Sequence, residues 1–114
     1  MKDTLFLLAP GFVDGDGEPF YCPYCTIFEG LLHLYPNLSS HIEVRRVAFP
    51  RPRSEVVAVL GEEHQSCPVL VLGQSVEKSI DGVQIQTSGT IQFIDEPQDI
   101  GHYLSVTYGI PRPH

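Results

Sequence analysis

The sequence is poor in basic residues, with seven lysines and arginines against fourteen aspartates and glutamates and a formal charge of −7. A nucleic-acid-binding protein needs a basic face to displace counterions from phosphates, and docking on anionic lipid needs a similar excess of cations. The sequence also lacks any apolar run near the roughly 20 residues that cross a bilayer, and the run at residues 5–8 is too short for a signal peptide. We therefore expect a cytoplasmic protein that binds neither nucleic acid nor membrane.

Cysteine is also scarce, since the chain has only Cys22, Cys25 and Cys67. Three cysteines cannot form the set of disulfides that holds together many small secreted domains. Because glutathione and thioredoxin keep cytoplasmic thiols reduced, a pair separated by two residues indicates redox or metal chemistry in that compartment. The cysteines are therefore the first candidates for a functional site.

Internal repeats, low-complexity tracts and linkers are absent as well, so we expect residues 1–114 to form a single domain with one core. Continuous apolar runs at residues 5–8 and 68–72 are typical of strands covered on both faces. The half-polar stretch 42–49, whose alternation slips by one residue, suits an edge strand with a bulge. The two apolar strands should therefore lie in the middle of a sheet.

The first predicted helix begins at Cys22-Pro23, because proline suits a first helical position, and it ends before Pro36. Its expected buried stripe consists of Ile27, Phe28, Leu31, Leu32 and Leu34. The residues between them are mostly polar, which is typical of a helix that packs one side against a sheet.

Two further helices are predicted downstream. Ser54 is a candidate cap for a short helix that continues through Leu60 and stops at Gly61. The last helix begins near Pro97 and ends at Gly109. Its expected buried residues are Ile100, Tyr103, Leu104 and Tyr108.

Residues 91–94 form a further predicted strand, and residues 76–87 predict a hairpin that turns at Asp81-Gly82. The complete order is β-α-β-α followed by β-β-α. This order predicts an α/β domain in which a four-stranded mixed sheet is flanked by helices and carries a hairpin insertion.

The pair Cys22 and Cys25 lies where the first helix begins. A thiolate is the nucleophile in disulfide exchange, and a helix N-terminus lowers a thiol pKa from about 8.5 to about 3.5–7.5. Cys22 stands at the start of the helix, so we expect it to be the nucleophile. Cys25 lies one turn later on the same face and would resolve a mixed disulfide formed on Cys22. The alternative is that both are inert cysteines of the core.

The CPYC motif at residues 22–25 is identical to the active-site motif of the dithiol glutaredoxins, and it likewise follows an apolar strand and opens a helix. Residues 60–72 resemble the glutaredoxin helix end and the strand that begins with a cis-proline. Residues 100–109 resemble the helix that closes the glutathione-binding domain of glutathione transferases. The opening KDTLFLL with a CPxC motif is most similar to a small bacterial family of thioredoxin-like domains without assigned function.

This resemblance implies a thioredoxin-like fold of the glutaredoxin type and thiol–disulfide oxidoreductase activity. It implies glutathione as a candidate reductant, no required cofactor, and a disulfide-containing protein or a small thiol as substrate. It also implies a cis peptide bond before Pro68, with that proline facing the cysteine motif. The residues that it implies for substrate binding are Tyr24, Cys67, Pro68, Asp95 and Glu96.

Two departures from the glutaredoxin pattern concern glutathione. Glutaredoxins usually carry a lysine shortly before the first cysteine, whereas residues 18–21 contain no cation. The Gly-Gly step that usually follows the last strand is replaced by Asp95-Glu96. Because carboxylates are costly to desolvate without a positive partner, we expect weaker glutathione binding than in glutaredoxins.

Two other functions remain open. The chain would serve as a non-catalytic module, similar to a glutathione-transferase domain, that holds a thiol ligand or a partner. Alternatively, Cys22, Cys25, Cys67 and His64 would bind zinc or contribute to an iron–sulfur ligand set. Cys67 itself is either a small buried apolar side chain or an alternative resolving thiol.

Overall fold

The computed structural model describes residues 1–74, 80 and 82–114. The chain forms, in order, β1 (Asp3–Leu8), β2 (Phe12–Val13), β3 (Pro19–Phe20), α1 (Pro23–Leu34), α2 (Leu38–His41), β4 (Ile42–Val47), α3 (Ser54–Leu60), β5 (Val69–Val71), β6 (Gln86–Ser88), β7 (Ile91–Ile94) and α4 (Pro97–Tyr108). A mixed five-stranded sheet and four helices thus make up an α/β architecture in the described part of the chain.

The main sheet has the strand order β4-β1-β5-β7-β6. β1 runs parallel to β4 and antiparallel to β5, and β7 pairs antiparallel with both β5 and β6. The prediction of four strands is wrong, because residues 86–88 turn back at Gly89-Thr90 and pair with β7. The predicted edge position of β4 is confirmed, but its pairing with β1 runs without interruption from Ile42 to Val47 rather than through a bulge.

β1 and β5 form the middle of the core, as their apolar sequences predict. All four residues of the run 5–8 are buried, although successive side chains of a strand point to opposite faces. Both faces of β1 are therefore covered, and the same holds for residues 69–71. The bulkiest fully buried side chains elsewhere include Phe28, Phe93, Ile100 and Leu104.

Helix α1 has the predicted start and end, but its buried side differs from the expected stripe. Ile27 and Leu34 are 54% and 66% exposed, while Phe28 and Cys25 are buried. Residues seven apart return to nearly the same side of a helix, and adjacent residues are about 100° apart. Ile27 and Leu34 therefore lie about 100–120° around the helix axis from Phe28, at one edge of the face that Phe28 turns to the core.

The other helices follow the predictions closely, with one correction. α3 ends at Leu60 and Gly61 follows with a φ of 87°, but Ser54 is the first helical residue rather than the cap. The cap position belongs to Arg53, which forms no side-chain capping hydrogen bond. In α4 the carboxylate of Glu96 accepts the N–H of Asp99 at 3.2 Å. Ile100, Tyr103 and Leu104 are buried as expected, whereas Tyr108 is only half-buried.

Two local features were not predicted from the sequence. The loop before the cysteine motif contains a small hairpin formed by β2 and β3, and α2 is an additional helix between α1 and β4. Part of the predicted hairpin at residues 76–87, namely residues 76–79 and Asp81 of the expected turn, lies outside the described residues. Within the described ranges, no helix is long and apolar enough to span a bilayer.

A buried carboxylate, that of Asp3, links a residue near the N-terminus of the chain to residues near its C-terminus. Asp3 accepts hydrogen bonds from the hydroxyl of Tyr103 at 3.0 Å and from that of Tyr108 at 2.6 Å. It also accepts the N–H of Gly73 at 2.7 Å. Strand β1, helix α4 and the end of β5 therefore meet at one side chain.

Candidate functional site

Cys22 occupies the capping position at the N-terminus of α1. Its backbone is extended, Pro23 follows as the first helical residue, and its Sγ accepts the N–H of Cys25 at 3.2 Å. The side chain is partly exposed. A negative charge on this sulfur would receive a direct amide hydrogen bond and the favourable end of the helix dipole. The geometry therefore suits a thiolate.

Cys25 has a different environment, with 2% of its surface exposed. Its Sγ accepts the N–H of Leu8 at 3.3 Å, which joins the end of β1 to the first turn of α1. Burial raises the pKa of Cys25 to about 12, and the hydrogen bond from Leu8 opposes part of this rise. Cys25 is therefore a protonated thiol at neutral pH.

Cys67 is the third sulfur of the site, and it interacts electrostatically with both Cys22 and Cys25. It is partly buried, and the peptide bond between Cys67 and Pro68 is cis, as the resemblance implies. Burial raises the pKa of the Cys67 thiol to about 11, while the guanidinium of Arg53 opposes the rise. The fold thus brings together three cysteines from two distant parts of the chain.

Arg53 is the residue that sequence reasoning missed. Its side chain is 7% exposed, and its Nε and Nη1 donate to the carbonyls of Phe49 at 2.9 Å and Gln65 at 2.8 Å. Its N–H also donates to the Oε1 of Gln65 at 2.8 Å. Among the described residues, the guanidinium forms no ion pair with a carboxylate. The only sequence signal was the cluster of arginines between residues 45 and 53.

An aromatic stack connects Arg53 to the hairpin that precedes the cysteine motif. The guanidinium carbon of Arg53 lies 5.3 Å from the centre of the Phe49 ring. The ring of Phe12 stacks on the Phe49 ring, with 4.3 Å between the ring centres and an interplanar angle of 3°. Phe20, on the second strand of the hairpin, lies 6.3 Å from Phe12. The loop before Cys22 is therefore held against the segment that leads to Cys67.

The proposed metal ligands do not form a metal site in the described residues. No three histidine, cysteine, aspartate or glutamate side chains within them are arranged to hold a metal ion. The ring of His64 instead packs 4.8 Å from the ring of Phe93. Cys22, Cys25 and Cys67 are all free thiols.

Two of the residues predicted to bind substrate lie on one groove. Tyr24 and Glu96 both line a cavity of about 290 Å³ between α1, α4 and the C-terminal tail. We call it the α1–α4 groove; its lining comprises Tyr24, Ile27, Phe28, Leu31 and Tyr35 on one side and residues 96–98, 101 and 111–113 on the other. Asp95 lies outside this lining, and its carboxylate accepts a hydrogen bond from the side-chain amide of Gln86.

Comparison with protein families assigns the chain to a group. Residues 2–112 match the family model described as "Protein of unknown function (DUF3088)". The chain belongs to the DUF3088 family. Neither a curated protein nor a solved structure matches it. The matched residues include all three cysteines and every residue of the groove lining except Pro113.

Apolar side chains surround the cysteine motif on the surface of this DUF3088 protein. Phe20, Tyr21, Tyr24 and Ile27 are all exposed, although each is large and apolar for most of its surface. A cluster of this kind on a single domain is typical of an interaction surface.

Proposed function

We propose that this DUF3088 protein is a thiol–disulfide oxidoreductase in which Cys22 is the nucleophile and Cys25 the resolving thiol. One observation carries the proposal: the Sγ of Cys22 caps α1 and accepts the Cys25 N–H, while burial raises the pKa of the other two thiols. The chain thus has one thiol in a setting that favours negative charge and a neutral thiol one turn away.

The architecture supports a thioredoxin-like fold of the glutaredoxin type. Without β2, β3, α2 and the edge strand β6, the observed order is β-α-β-α-β-β-α, and the CPYC motif opens the first long helix after the apolar interior strand β1. The cis peptide bond at Pro68 immediately before β5 agrees with the same assignment. These features are the ones on which the resemblance to glutaredoxins depends.

The reaction begins when the Cys22 thiolate attacks one sulfur of a substrate disulfide. The substrate S–S bond breaks, the departing sulfur leaves as a thiolate that takes up a proton, and a mixed disulfide forms on Cys22. Cys25 then loses its proton and attacks the Sγ of Cys22. The second substrate thiol is released, and the two electrons of the Cys22–Cys25 dithiol have reduced the substrate.

The hydrogen bond from Leu8 has a role in the second step. Cys25 must become a thiolate as it attacks, and the N–H of Leu8 donates to the sulfur on which this charge develops. The donor belongs to β1, an interior strand of the sheet, and is already in place. An external dithiol or glutathione would reduce the new disulfide again, so we place the protein in a reducing compartment such as the cytoplasm.

Single-turnover reduction of a synthetic peptide disulfide tests the proposal. We expect Cys22→Ser to abolish the reaction and Cys25→Ser to stop it at a mixed disulfide whose mass identifies the trapped peptide. Cys67→Ser serves as the matched control and should retain the reaction. Equal activity of the Cys22→Ser and Cys67→Ser variants would refute the assignment of the nucleophile.

The alternative of a non-catalytic module that binds a thiol ligand or a partner is favoured by the α1–α4 groove, because it lies beside the motif and is mostly apolar. The same experiment separates the two functions. A binding module would hold the peptide without consuming its disulfide, and binding would then be unchanged in the Cys22→Ser variant.

A further inference from the structure

The α1–α4 groove follows a continuous stripe on α1. Residues 24, 27, 28, 31 and 35 recur at the helical spacing of three and four, so they line one side of the helix. The stripe covers eleven residue steps, or about 16 Å at 1.5 Å per residue. That is the length of about five residues of extended polypeptide.

The opposite wall is formed by α4 and the chain after it. Gly101 lies so close to the tail that a Cβ built on it would be 3.2 Å from the Cγ of Pro113. The side-chain amide of Gln98 is 3.5 Å from the carbonyl of His114. The tail thus lies along α4, and Pro111 and Pro113 complete an apolar wall.

The groove has little net charge and begins at the cysteine motif. Its lining includes one carboxylate, that of Glu96, and one guanidinium, that of Arg112. Tyr24 is the first residue of the α1 wall of the groove. It lies between the two cysteines of the motif in sequence, and it is 59% exposed. Tyr24 is two residues from Cys22, so the groove begins next to the proposed nucleophile in the chain.

We propose, on the basis of the proposed redox function, that the α1–α4 groove binds the apolar side chains next to the reacting cysteine of a polypeptide substrate. Three features point to a polypeptide: the groove begins at Tyr24 within the cysteine motif, it has the length of about five extended residues, and its two charges are opposite. A glutathione molecule is a tripeptide, shorter than the stripe, and it is anionic, whereas the lining has a single guanidinium, that of Arg112. Burial of apolar surface by the substrate provides the specificity.

The test uses two peptides of equal length and net charge, each with one cysteine joined in a disulfide to β-mercaptoethanol. Leucines flank the cysteine in the first peptide and serines in the second. We expect the reduced protein to react about tenfold faster with the leucine peptide, which is within the usual discrimination of an apolar pocket. In Ile27→Gln this preference should fall to about twofold or less.

Leu34→Gln is the matched control. Both positions are exposed apolar residues on α1, but Leu34 does not line the groove. This variant should keep the tenfold preference. Equal rates for the two peptides with the unmodified protein, or equal loss of preference in both variants, would overturn the proposal.

A binding measurement distinguishes failure of the groove from failure of the redox function. A leucine peptide whose cysteine is replaced by serine is titrated against the methyl NMR signals of the protein. We expect saturable shifts at Ile27 and Leu31 but not at Leu34. If neither disulfide peptide reacts while these shifts persist, the redox function is wrong and the groove assignment stands. If the peptide does not bind and the only effect of Ile27→Gln is on self-association of the protein, the groove is a contact between two copies of this chain. That result would overturn the proposal.

Discussion

The N–H of Leu8 donates a hydrogen bond to the Sγ of Cys25 at 3.3 Å, so the last residue of β1 contacts the third residue of α1. Cys22 lies one turn away, and its partly exposed sulfur accepts a hydrogen bond from the same helix. The two thiols of the motif therefore differ in burial and in hydrogen bonding, although only two residues separate them. This difference leads directly to two predictions.

Alkylation should label the cysteines in a definite order. We expect iodoacetamide to modify Cys22 first, because its sulfur is partly exposed and accepts an amide hydrogen bond at a helix N-terminus, a position typical of reactive cysteines. Cys25 and Cys67 should react slowly, since burial raises their pKa values to about 12 and about 11. Peptide mass spectrometry after timed labelling gives the three rates. A Cys22 that reacts no faster than Cys67 would contradict the prediction.

Oxidation should join Cys22 to Cys25 and leave Cys67 free. The two sulfurs lie in the same helical turn, and the Sγ of Cys22 already contacts the N–H of Cys25. Non-reducing peptide mapping identifies the bond, and dithiothreitol should restore the two missing protons. A dominant bond from Cys67 to either partner would make Cys67 the resolving thiol instead.

Loss of the Arg53 side chain should destabilise the fold and raise the pKa of Cys67 further. Arg53→Met leaves the carbonyls of Phe49 and Gln65 without their donor, which should lower the free energy of unfolding by about 2–4 kcal/mol. It also removes a cation that opposes the rise in the Cys67 pKa. Urea denaturation and alkylation of Cys67 measure the two effects.

The control for this change is Arg45→Met. Arg45 is a surface residue whose ion pair with Glu55 spans 3.1 Å, and exposed pairs usually contribute less than about 1 kcal/mol. We expect a small loss of stability and no change at Cys67. Equal destabilisation in the two variants would show that the buried hydrogen bonds of Arg53 stabilise the fold no more than the surface ion pair of Arg45.

Stability should fall at high pH because of the tyrosines that contact Asp3. Burial raises the pKa of Tyr103 from about 10 to about 12, and burial also raises the pKa of Tyr108. The fold favours the neutral phenols, so their contribution is complete below about pH 10 and is lost as the pH rises through about 12. Urea denaturation at a series of pH values measures this loss.

Tyr103→Phe tests the same contact at neutral pH. It removes a hydrogen bond to a buried carboxylate and should lower the free energy of unfolding by about 2 kcal/mol. Tyr21→Phe, at an exposed position, is the control and should have little effect. Stability that does not change between pH 10 and 12 in the unmodified protein would contradict the prediction.

Glutathione should bind weakly, in the millimolar range, and its binding should depend on Arg51. Residues 18–21 provide no cation for the glutathione carboxylates, but Arg51 is exposed and interacts electrostatically with Cys67. Calorimetric titration into the Cys22→Ser variant measures the non-covalent interaction alone. Adding Arg51→Gln should abolish the remaining heat, whereas micromolar binding that strengthens at low salt would contradict the prediction.

Local patterns were sufficient to predict the main elements of the chain. Residues 5–8 and 69–71 are strands buried on both faces, because a strand in mid-sheet requires apolar side chains at every position. The start of α1 followed from Pro23 and the end of α3 from Gly61. Each signal depends on residues that are close in sequence, and the assignment of the CPYC motif to a helix start has the same basis.

Contacts between segments that are distant in sequence could not be predicted from these local patterns. The fifth strand exists because residues 86–88 turn back on β7, and no apolar run marks it. Ile27 and Leu34 looked like core residues, yet the rotation of α1 on the sheet left them exposed. Which side of a helix is buried depends on where its neighbours pack. When the apolar stripe is wider than the area of contact with the sheet, the sequence does not determine which of its residues are buried.

The sequence alone therefore determined which residues could carry the chemistry: a cysteine pair at a helix start and a third cysteine before a proline. Only the tertiary structure decided how these thiols differ, because burial and hydrogen-bond donors come from other elements. Leu8 reaches Cys25 from β1, and Arg53 reaches the third thiol from the start of α3. The same is true of the α1–α4 groove, whose walls are more than 60 residues apart in the chain and meet only because both helices pack in the same domain.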